Sequence, residues 1–342
     1  QNINTAVRLT REFWDCYKDV DSEYPIRDRN GDKIGTLGCE ELLYEIARAQ
    51  LECGDPGIQY DDNINAWNPF LAMGLRFNSS NACSEVQYLD NSACNLASLR
   101  ITAYYDSQKN TFNSINLYED ISIMLMAQDI LIDFSYYPTE DIAKTSYNTR
   151  NLGLNYGDLG GLLYMMGLPY DSDEARCVAA VITSYFTACA HTASMDMALT
   201  LGSFKYLEED IGDLKHHMKS VLSNHYSMHG CLFDKPQNID LVNSCDNTSF
   251  NAYKAITNII MDNKNIPSFI RDMQTSSVHK YEYILNSDEA DFKLRNATVT
   301  VFVPQGTVGL TLGNLTTGIE PFLSHAFGKD LVGGGNMRFV TG

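Results

Sequence analysis

The chain has 342 residues and a formal net charge of −18. That length holds one large α/β domain or two ordinary ones. So acidic a balance excludes a general nucleic-acid surface and docking on an anionic membrane, although backbone N–H groups can still hold a small phosphate. The nine cysteines are an odd number with no C-x-x-C pair, which reads as a reducing, cytoplasmic setting rather than a disulfide framework. In that setting the Asn-x-Ser/Thr matches at Asn78, Asn247 and Asn314 are coincidental. The opening stretch shows no signal-peptide pattern, and no apolar run approaches the roughly 18 residues of a membrane span.

In chain order, "TLGCEELLYEIARAQLECGDPG" predicts a helix over 40–53. Its apolar residues fall near helical period, Gly54 stands at the C′ position, and Pro56 blocks continuation. "NSSNACSEVQYLDNSACNLASLRI" comes next. It offers "VQYL" and "LASLRI" as short strands, with Asp90-Asn91 as the turn between them. A buried helix is expected over 115–135, closed by "YYP", and a short helix ending near Gly167. Ser172 reads as the N-cap of a long helix over 173–201, ended by Gly202 and apolar around most of its circumference. Residues 205–290 are polar and give no clear assignment. "NATVTVFVP" over 296–304 is a β-branched run that reads as a strand, followed by a possible helix start after Pro304-Gln305-Gly306-Thr307. Buried strands alternating with buried helices point to an α/β layer or barrel. No repeat and no linker divides the chain.

Four groups of residues could carry chemistry. If 81–85 is extended, Asn81, Cys83 and Glu85 share one face and place an amide, a thiol and a carboxylate in one pocket. A carboxylate can act as base, an amide can orient hydroxyls, and a thiol can be a nucleophile or hydrogen-atom donor. A returning strand would bring Cys94 level with Cys83, and two thiols at one site point to redox chemistry. Spacing alone equally fits a loop around a buried cysteine. At 304–308 a strand-to-helix turn offers backbone donors for an anion, or is an ordinary βα turn; it lacks the Gly-Lys-Ser/Thr of a Walker A loop. His225 and His229, with Cys231 nearby, have helical metal-ligand spacing. They fit a polar surface helix better, as do His216 and His217, and no metal is expected. The pairs Tyr104-Tyr105 and Tyr136-Tyr137 read as core-margin residues rather than radical carriers.

Taken together, these stretches resemble the large, catalytic subunit of ribonucleotide reductase. "NACSE" followed by "SACNLASLRI" is similar to the family's Asn-x-Cys-x-Glu and its second cysteine in a "CNL(G/A)S" context. "ELLYEIARAQLECGDPGI" resembles the helix and turn upstream of it in the adenosylcobalamin-dependent, class II enzymes. The stretches 136–175 and 296–321 resemble "YP…TRxIGLGxxGxADxLxxLGIPYDSxEA" and "ATxTxIAPTGTISxIAGxSSGIEP", and the order is the family's. Where class II enzymes often read Asn-Pro-Cys-Gly-Glu, this chain has Ala82 and Ser84, and "PTGT" is here "PQGT".

The resemblance implies part of a ten-stranded α/β barrel with a central finger loop, as a single incomplete catalytic domain over 1–342. Cys83 would carry a transient thiyl radical that takes the 3′ hydrogen of a ribonucleotide. Glu85 would be the base on the 3′-OH, Asn81 would hold the ribose hydroxyls, and Cys94 would be one of two reducing cysteines. Gln305, Gly306, Thr307 and Val308 would cradle the substrate phosphate. The implied cofactor is adenosylcobalamin. The implied partners are a thioredoxin- or glutaredoxin-type reductant, the N-terminal reductase segment, and a second copy in a homodimer once complete. The expectation is a middle-to-C-terminal portion that does not turn over alone. Two alternatives stand beside it: a class I large subunit served by a separate radical-generating subunit, and a reductase-like fragment with a binding or regulatory role.

Overall fold

The computed structural model describes residues 3–19, 22–230, 266–322, 324–330 and 334–340. It forms two compact units, Gln1–Asp90 and Asn91–Gly342.

In the first unit, β1 (Ala6–Leu9) leads to α1 (Arg11–Tyr17), β2 (Glu23–Arg27), β3 (Lys33–Gly38), α2 (Cys39–Cys53), β4 (Gly57–Tyr60) and α3 (Asp61–Ala66). β1 pairs with β4 in parallel, and β2 with β3 antiparallel. Leu9, Phe13 and Cys39 form a small core, joined by Trp14, Tyr24, Leu42, Leu43 and Ile58. α2 ends as its sequence predicts. Gly54 takes the left-handed conformation, and its N–H bonds the carbonyl of Gln50. Beyond α3 the chain is held by side-chain amides. Asn65 receives the Phe77 N–H and donates to its carbonyl, and Asn68 donates to the Leu75 carbonyl.

In the second unit the elements are β5 (Asn95–Arg100), β6 (Tyr105–Asp106), β7 (Thr111–Phe112), α4 (Ser114–Phe134), α5 (Glu140–Thr149), β8 (Leu152–Gly157) and α6 (Leu159–Met165). They are followed by α7 (Asp173–Leu201), α8 (Lys205–Glu208), α9 (Leu214–Gly230), α10 (Ser268–Leu285), α11 (Gly306–Leu312), β9 (Ala326–Asp330) and β10 (Asn336–Val340). The described residues of the polar stretch 205–290 form α8, α9 and α10. Helix boundaries follow capping chemistry: Asn113 receives the Asn116 N–H, and Ser172 receives the Ala175 N–H at 3.1 Å. α7 is buried around most of its surface and packs on α4 and α10.

β8 is buried along its whole length and pairs in parallel with β5, Asn95 opposite Leu152 through Arg100 opposite Gly157. Both faces are covered, as a parallel strand requires. The expected strand over 296–304 runs beside β8 but is not a regular strand; its one ladder bridge is Leu154 to Thr300. Leu152 and Leu154, two residues apart, donate to Thr298 and Val299, which are adjacent. That mismatch of one residue breaks the ladder in the manner of a bulge. "VQYL" is not a strand either, and β5 pairs with β8 instead. The architecture is mixed α/β. Among the described residues the strands pair two by two and close no barrel, so the ten-stranded barrel is not seen as a closed sheet. No described helix is long and apolar enough to cross a membrane.

One buried ion network locks the second unit. Asp129 of α4 accepts from Arg150 Nε at 2.8 Å, Arg295 Nε at 3.0 Å and Asn296 Nδ2 at 2.8 Å. Arg150 also reaches Asp133 and, through this hydrogen bond above all, holds its carboxyl below the usual carboxylate range.

Candidate active site

Asn81, Cys83 and Glu85 lie on one short loop, and the loop is not extended. The Ser84 N–H bonds the Asn81 carbonyl at 3.1 Å, and Ser84 has φ 66°. Asn81 also closes the loop onto Val86: its N–H donates to the Val86 carbonyl at 3.3 Å, and its Oδ1 receives the Val86 N–H at 3.1 Å. The expected alternation of side chains along a strand is therefore corrected. A turn, not a pleat, carries the three residues. Cys83 is exposed near the turn's tip. The Oε2 of Glu85 is buried and has no hydrogen-bond partner among the described residues. A buried carboxylate oxygen without a donor is costly unless a ligand supplies one.

A polar network grips this loop from the strands. The Arg8 guanidinium on β1 donates to Gln59 Oε1 on β4 (3.1 and 2.8 Å), to Gln87 Oε1 (3.0 Å) and to the Phe77 carbonyl. Gln59 Nε2 donates to Ser80 Oγ at 2.6 Å and to Ser84 Oγ at 2.9 Å. Gln87 Nε2 donates to the Ser84 carbonyl at 3.0 Å.

The other residues singled out in the sequence, Cys94 and residues 305–308, belong to the second unit, arranged around β8. Cys94 precedes β5, half-buried, with its sulfur close to Gly153: a Cβ on Gly153 would lie 2.8 Å from Cys94 Sγ. The same Cβ would meet Leu96 and Val301 at 2.6 Å each, so only glycine lets the three side chains share this face. Farther along β8, Gln305 is buried. Its Oε1 receives the Ser98 hydroxyl at 2.6 Å, while its Nε2 donates to the Tyr156 carbonyl at 2.8 Å and to Asn155 Oδ1. The glutamine of "PQGT" thus anchors the start of α11 to the β5–β8 pair. Gly306, Thr307 and Val308 are exposed in the first turn of α11, where the geometry of a helix leaves backbone N–H groups without intrahelical acceptors.

The following loop is fixed by Asp158, which is fully buried. It accepts from the Thr102 hydroxyl at 2.6 Å and from the Thr316 N–H at 2.7 Å. From Cys94 to Ser98 along the strand is about 13 Å at about 3.3 Å per residue, so one strand pair presents a thiol at one end and free backbone donors near the other.

The other candidates have contacts of their own. His216 Nδ1 stands 3.8 Å from Glu289, and His217 Nδ1 lies 3.1 Å from the Asp213 carbonyl. The side chains of His225 and His229, and Cys231 and Asn247, lie outside the described residues. Among the described residues no group of three or more His, Cys, Asp or Glu is placed to hold a metal. The Tyr104 hydroxyl donates to Asp120, Tyr105 is buried, and Tyr136 is exposed. No disulfide joins the seven described cysteines. Burial pushes the thiol of Cys39 up to about 11 and those of Cys177 and Cys189 up to about 12, which marks them as inert core residues.

Sequence reasoning passed over Arg8, Gln59, Gln87, Gly153 and Asp158. Gly153 carried a usable signal, a lone glycine inside an apolar strand pattern. The polar residues carried none, because their roles depend on contacts distant in sequence.

Comparison with known proteins covers the same stretch of chain. The family model for the ribonucleotide reductase barrel domain matches residues 4–341. A vitamin B12-dependent ribonucleotide reductase of Streptomyces coelicolor is 32% identical over all of this chain, which covers 32% of that protein. One of Rhodopirellula baltica is 31% identical over all of this chain, covering 29% of it. A vitamin B12-dependent ribonucleoside-diphosphate reductase of Mycobacterium tuberculosis is 29% identical over 59% of this chain. The chain spans about a third of the length of the first two of these relatives. The loop of Asn81, Cys83 and Glu85, with Cys94 and the Gln305 turn, thus sits inside a match that takes in nearly every residue, and the chain belongs to the ribonucleotide reductase barrel-domain family.

Proposed function

We propose that this chain supplies the catalytic core of an adenosylcobalamin-dependent, class II ribonucleotide reductase, which converts ribonucleotides to 2′-deoxyribonucleotides by a thiyl-radical mechanism. The observation that carries this reading is the loop 81–86. It joins an exposed thiol, an amide and a carboxylate oxygen that is buried yet unpartnered, within a family-wide match. The relatives' B12-dependent names favour class II over the class I alternative.

The loop fits such a cofactor. Cys83 is exposed, so a hydrogen-atom acceptor can reach its sulfur. When bound, adenosylcobalamin supplies the unpaired electron that no acid or base of the chain can generate. The chain's own residues do the rest. The Cys83 thiyl takes the 3′ hydrogen, giving a thiol and a carbon-centred substrate radical. Glu85 Oε2 accepts the 3′-OH proton, and the increased electron density at C3′ helps expel the 2′-OH. Asn81 spends Oδ1 on the loop and keeps its Nδ2 for a ribose hydroxyl. Cys94 and a second cysteine give one proton to the departing hydroxyl, which leaves as water, and one hydrogen to C2′. As they become a disulfide their remaining electron reduces the substrate, Glu85 returns its proton to the 3′ oxygen, and the Cys83 thiol returns its hydrogen to C3′ and becomes a thiyl again. An external dithiol of thioredoxin or glutaredoxin type reduces the disulfide. The backbone donors of Gly306, Thr307 and Val308 receive the phosphate, held in place by the buried Gln305 side chain. In this reading Cys83 occupies the tip of a finger loop inside a barrel that the complete, homodimeric protein closes.

The test is turnover by the full-length reductase carrying this segment, with adenosylcobalamin, a ribonucleotide and a dithiol. Deoxyribonucleotide should form, and Glu85→Gln should lower kcat by about 10²–10⁴-fold, the usual worth of a positioned base. Product formed equally well without cobalamin would reject the class II assignment, and an unchanged kcat in Glu85→Gln would reject the base.

A further inference from the structure

Ser84 is a residue with a side chain in a conformation that favours glycine, φ 66°, immediately after the exposed thiol. Something must stabilise it there, and both of its outward-facing groups are held. Its Oγ receives Gln59 Nε2 at 2.9 Å, and its carbonyl receives Gln87 Nε2 at 3.0 Å. Both amides are oriented by one cation, since Arg8 donates to Gln59 Oε1 and to Gln87 Oε1. A guanidinium fixed on an amide oxygen leaves the amide nitrogen pointing the other way, so each glutamine is committed to donate toward the loop. Arg8 is itself set by Asp61 at 3.4 Å and by the Phe77 carbonyl at the loop's stem. Gln59 completes the grip on Ser80, whose hydroxyl in turn bonds the Asn81 carbonyl at 2.8 Å.

We propose that Arg8, Gln59 and Gln87 are positioning residues that set the conformation of the Cys83 loop, with Gln59 holding Ser84 in the left-handed state. The catalytic half of this inference rests on the reading of Cys83 as the radical-bearing thiol; the conformational half does not. The device explains how this loop takes serine at a position where glycine would need no support. It also predicts an asymmetry that simple packing does not. Ser84→Gly loses the hydroxyl contact but also loses the reason for it. Ser84→Ala loses the contact and keeps the unfavourable φ.

The experiment has two arms. In the chain as it stands, amide hydrogen exchange is followed in peptides spanning 80–87, with α2 as internal reference. Gln59→Leu and Ser84→Ala should speed exchange in the loop severalfold and leave α2 unchanged, and Ser84→Gly should speed it less than Ser84→Ala. In full-length reductase, Gln59→Leu should lower kcat by about ten- to a hundredfold, as small misplacements of reacting groups do, with KM within about twofold. Adding Ser84→Gly to Gln59→Leu should recover kcat to near that of Ser84→Gly alone, a rescue that a merely structural Gln59 would not show. Equal exchange in Ser84→Ala and Ser84→Gly, or no rescue in the double variant, overturns the proposal. If Gln59→Leu does not fold, the two Ser84 variants decide it alone, since their side chain lies on a partly exposed loop. If the wild type makes no deoxynucleotide, the exchange arm still judges the loop, and the functional reading fails separately.

Discussion

Gly153→Ala tests how β8 makes room for Cys94. The new methyl would lie 2.6 Å from Leu96 Cδ2, 2.6 Å from Val301 Cγ1 and 2.8 Å from Cys94 Sγ. Carbon atoms in contact sit about 3.5–4.0 Å apart, so each neighbour must retreat by about 1 Å. Overpacking of this kind costs about 1–3 kcal/mol, and three neighbours around a fully buried strand place this case near the upper end. Against that, alanine in a strand restricts the unfolded chain and returns about 0.4–1 kcal/mol. The steric effect wins, for a net loss of about 2 kcal/mol. At about 2–3 kcal/mol per molar of urea, the unfolding midpoint should fall by about 1 M. The sulfur, being half-buried at the strand's start, is the neighbour with most freedom to move. Alkylation of Cys94 should therefore speed up severalfold relative to Cys83 in the same sample, read by mass spectrometry. An unchanged midpoint together with an unchanged Cys94 rate would refute the packing argument.

The Asp129 network should respond to loss of its central carboxylate. Asp129→Ala leaves Arg150 and Arg295 without it in a buried setting, and should destabilise by about 3–5 kcal/mol in denaturant titration; a cost near zero would mean that water reaches both guanidinium groups. His191 should give the fold an acid-side pH dependence. Burial lowers its pKa from 6.5 to about 4, so the unfolded chain binds the proton more readily than the native state. Stability from this group is then full above about pH 6.5 and is lost as pH falls toward 4, by about 3 kcal/mol in all. His191→Gln should flatten the melting temperature between pH 6.5 and 4, and an unaltered slope would assign the acid sensitivity elsewhere.

The elements legible in the sequence were those whose ends carry local chemistry. Gly54, Ser172 and Gly202 bound α2 and α7 where their residue types predict, because caps act through contacts within a few residues. The candidate site was proposed as a set of residue types, and the family was legible through resemblance. The shape of the loop was not. Nothing in "NACSE" announces that Ser84 adopts a positive φ, since the support for it comes from Gln59, 25 positions away, and from Gln87 with Arg8 behind it. The strand expected at 296–304 failed for a similar reason. Its β-branched pattern is real, but its register against β8 slips by a residue, and side-chain type does not encode that slip. Gln305 looked like a mild change in a phosphate turn, yet its side chain is a buried tie between β5, β8 and α11, visible only once those elements are assembled.

The central claim concerns one sulfur atom, and the most direct measurement is deoxyribonucleotide formation by Cys83→Ser in the full-length reductase, with adenosylcobalamin and a dithiol present. A serine hydroxyl keeps the size and polarity of the site but holds its hydrogen too strongly to exchange it with carbon. The account predicts a folded protein with unchanged loop exchange and no product above background. Turnover that persists in this variant would contradict it.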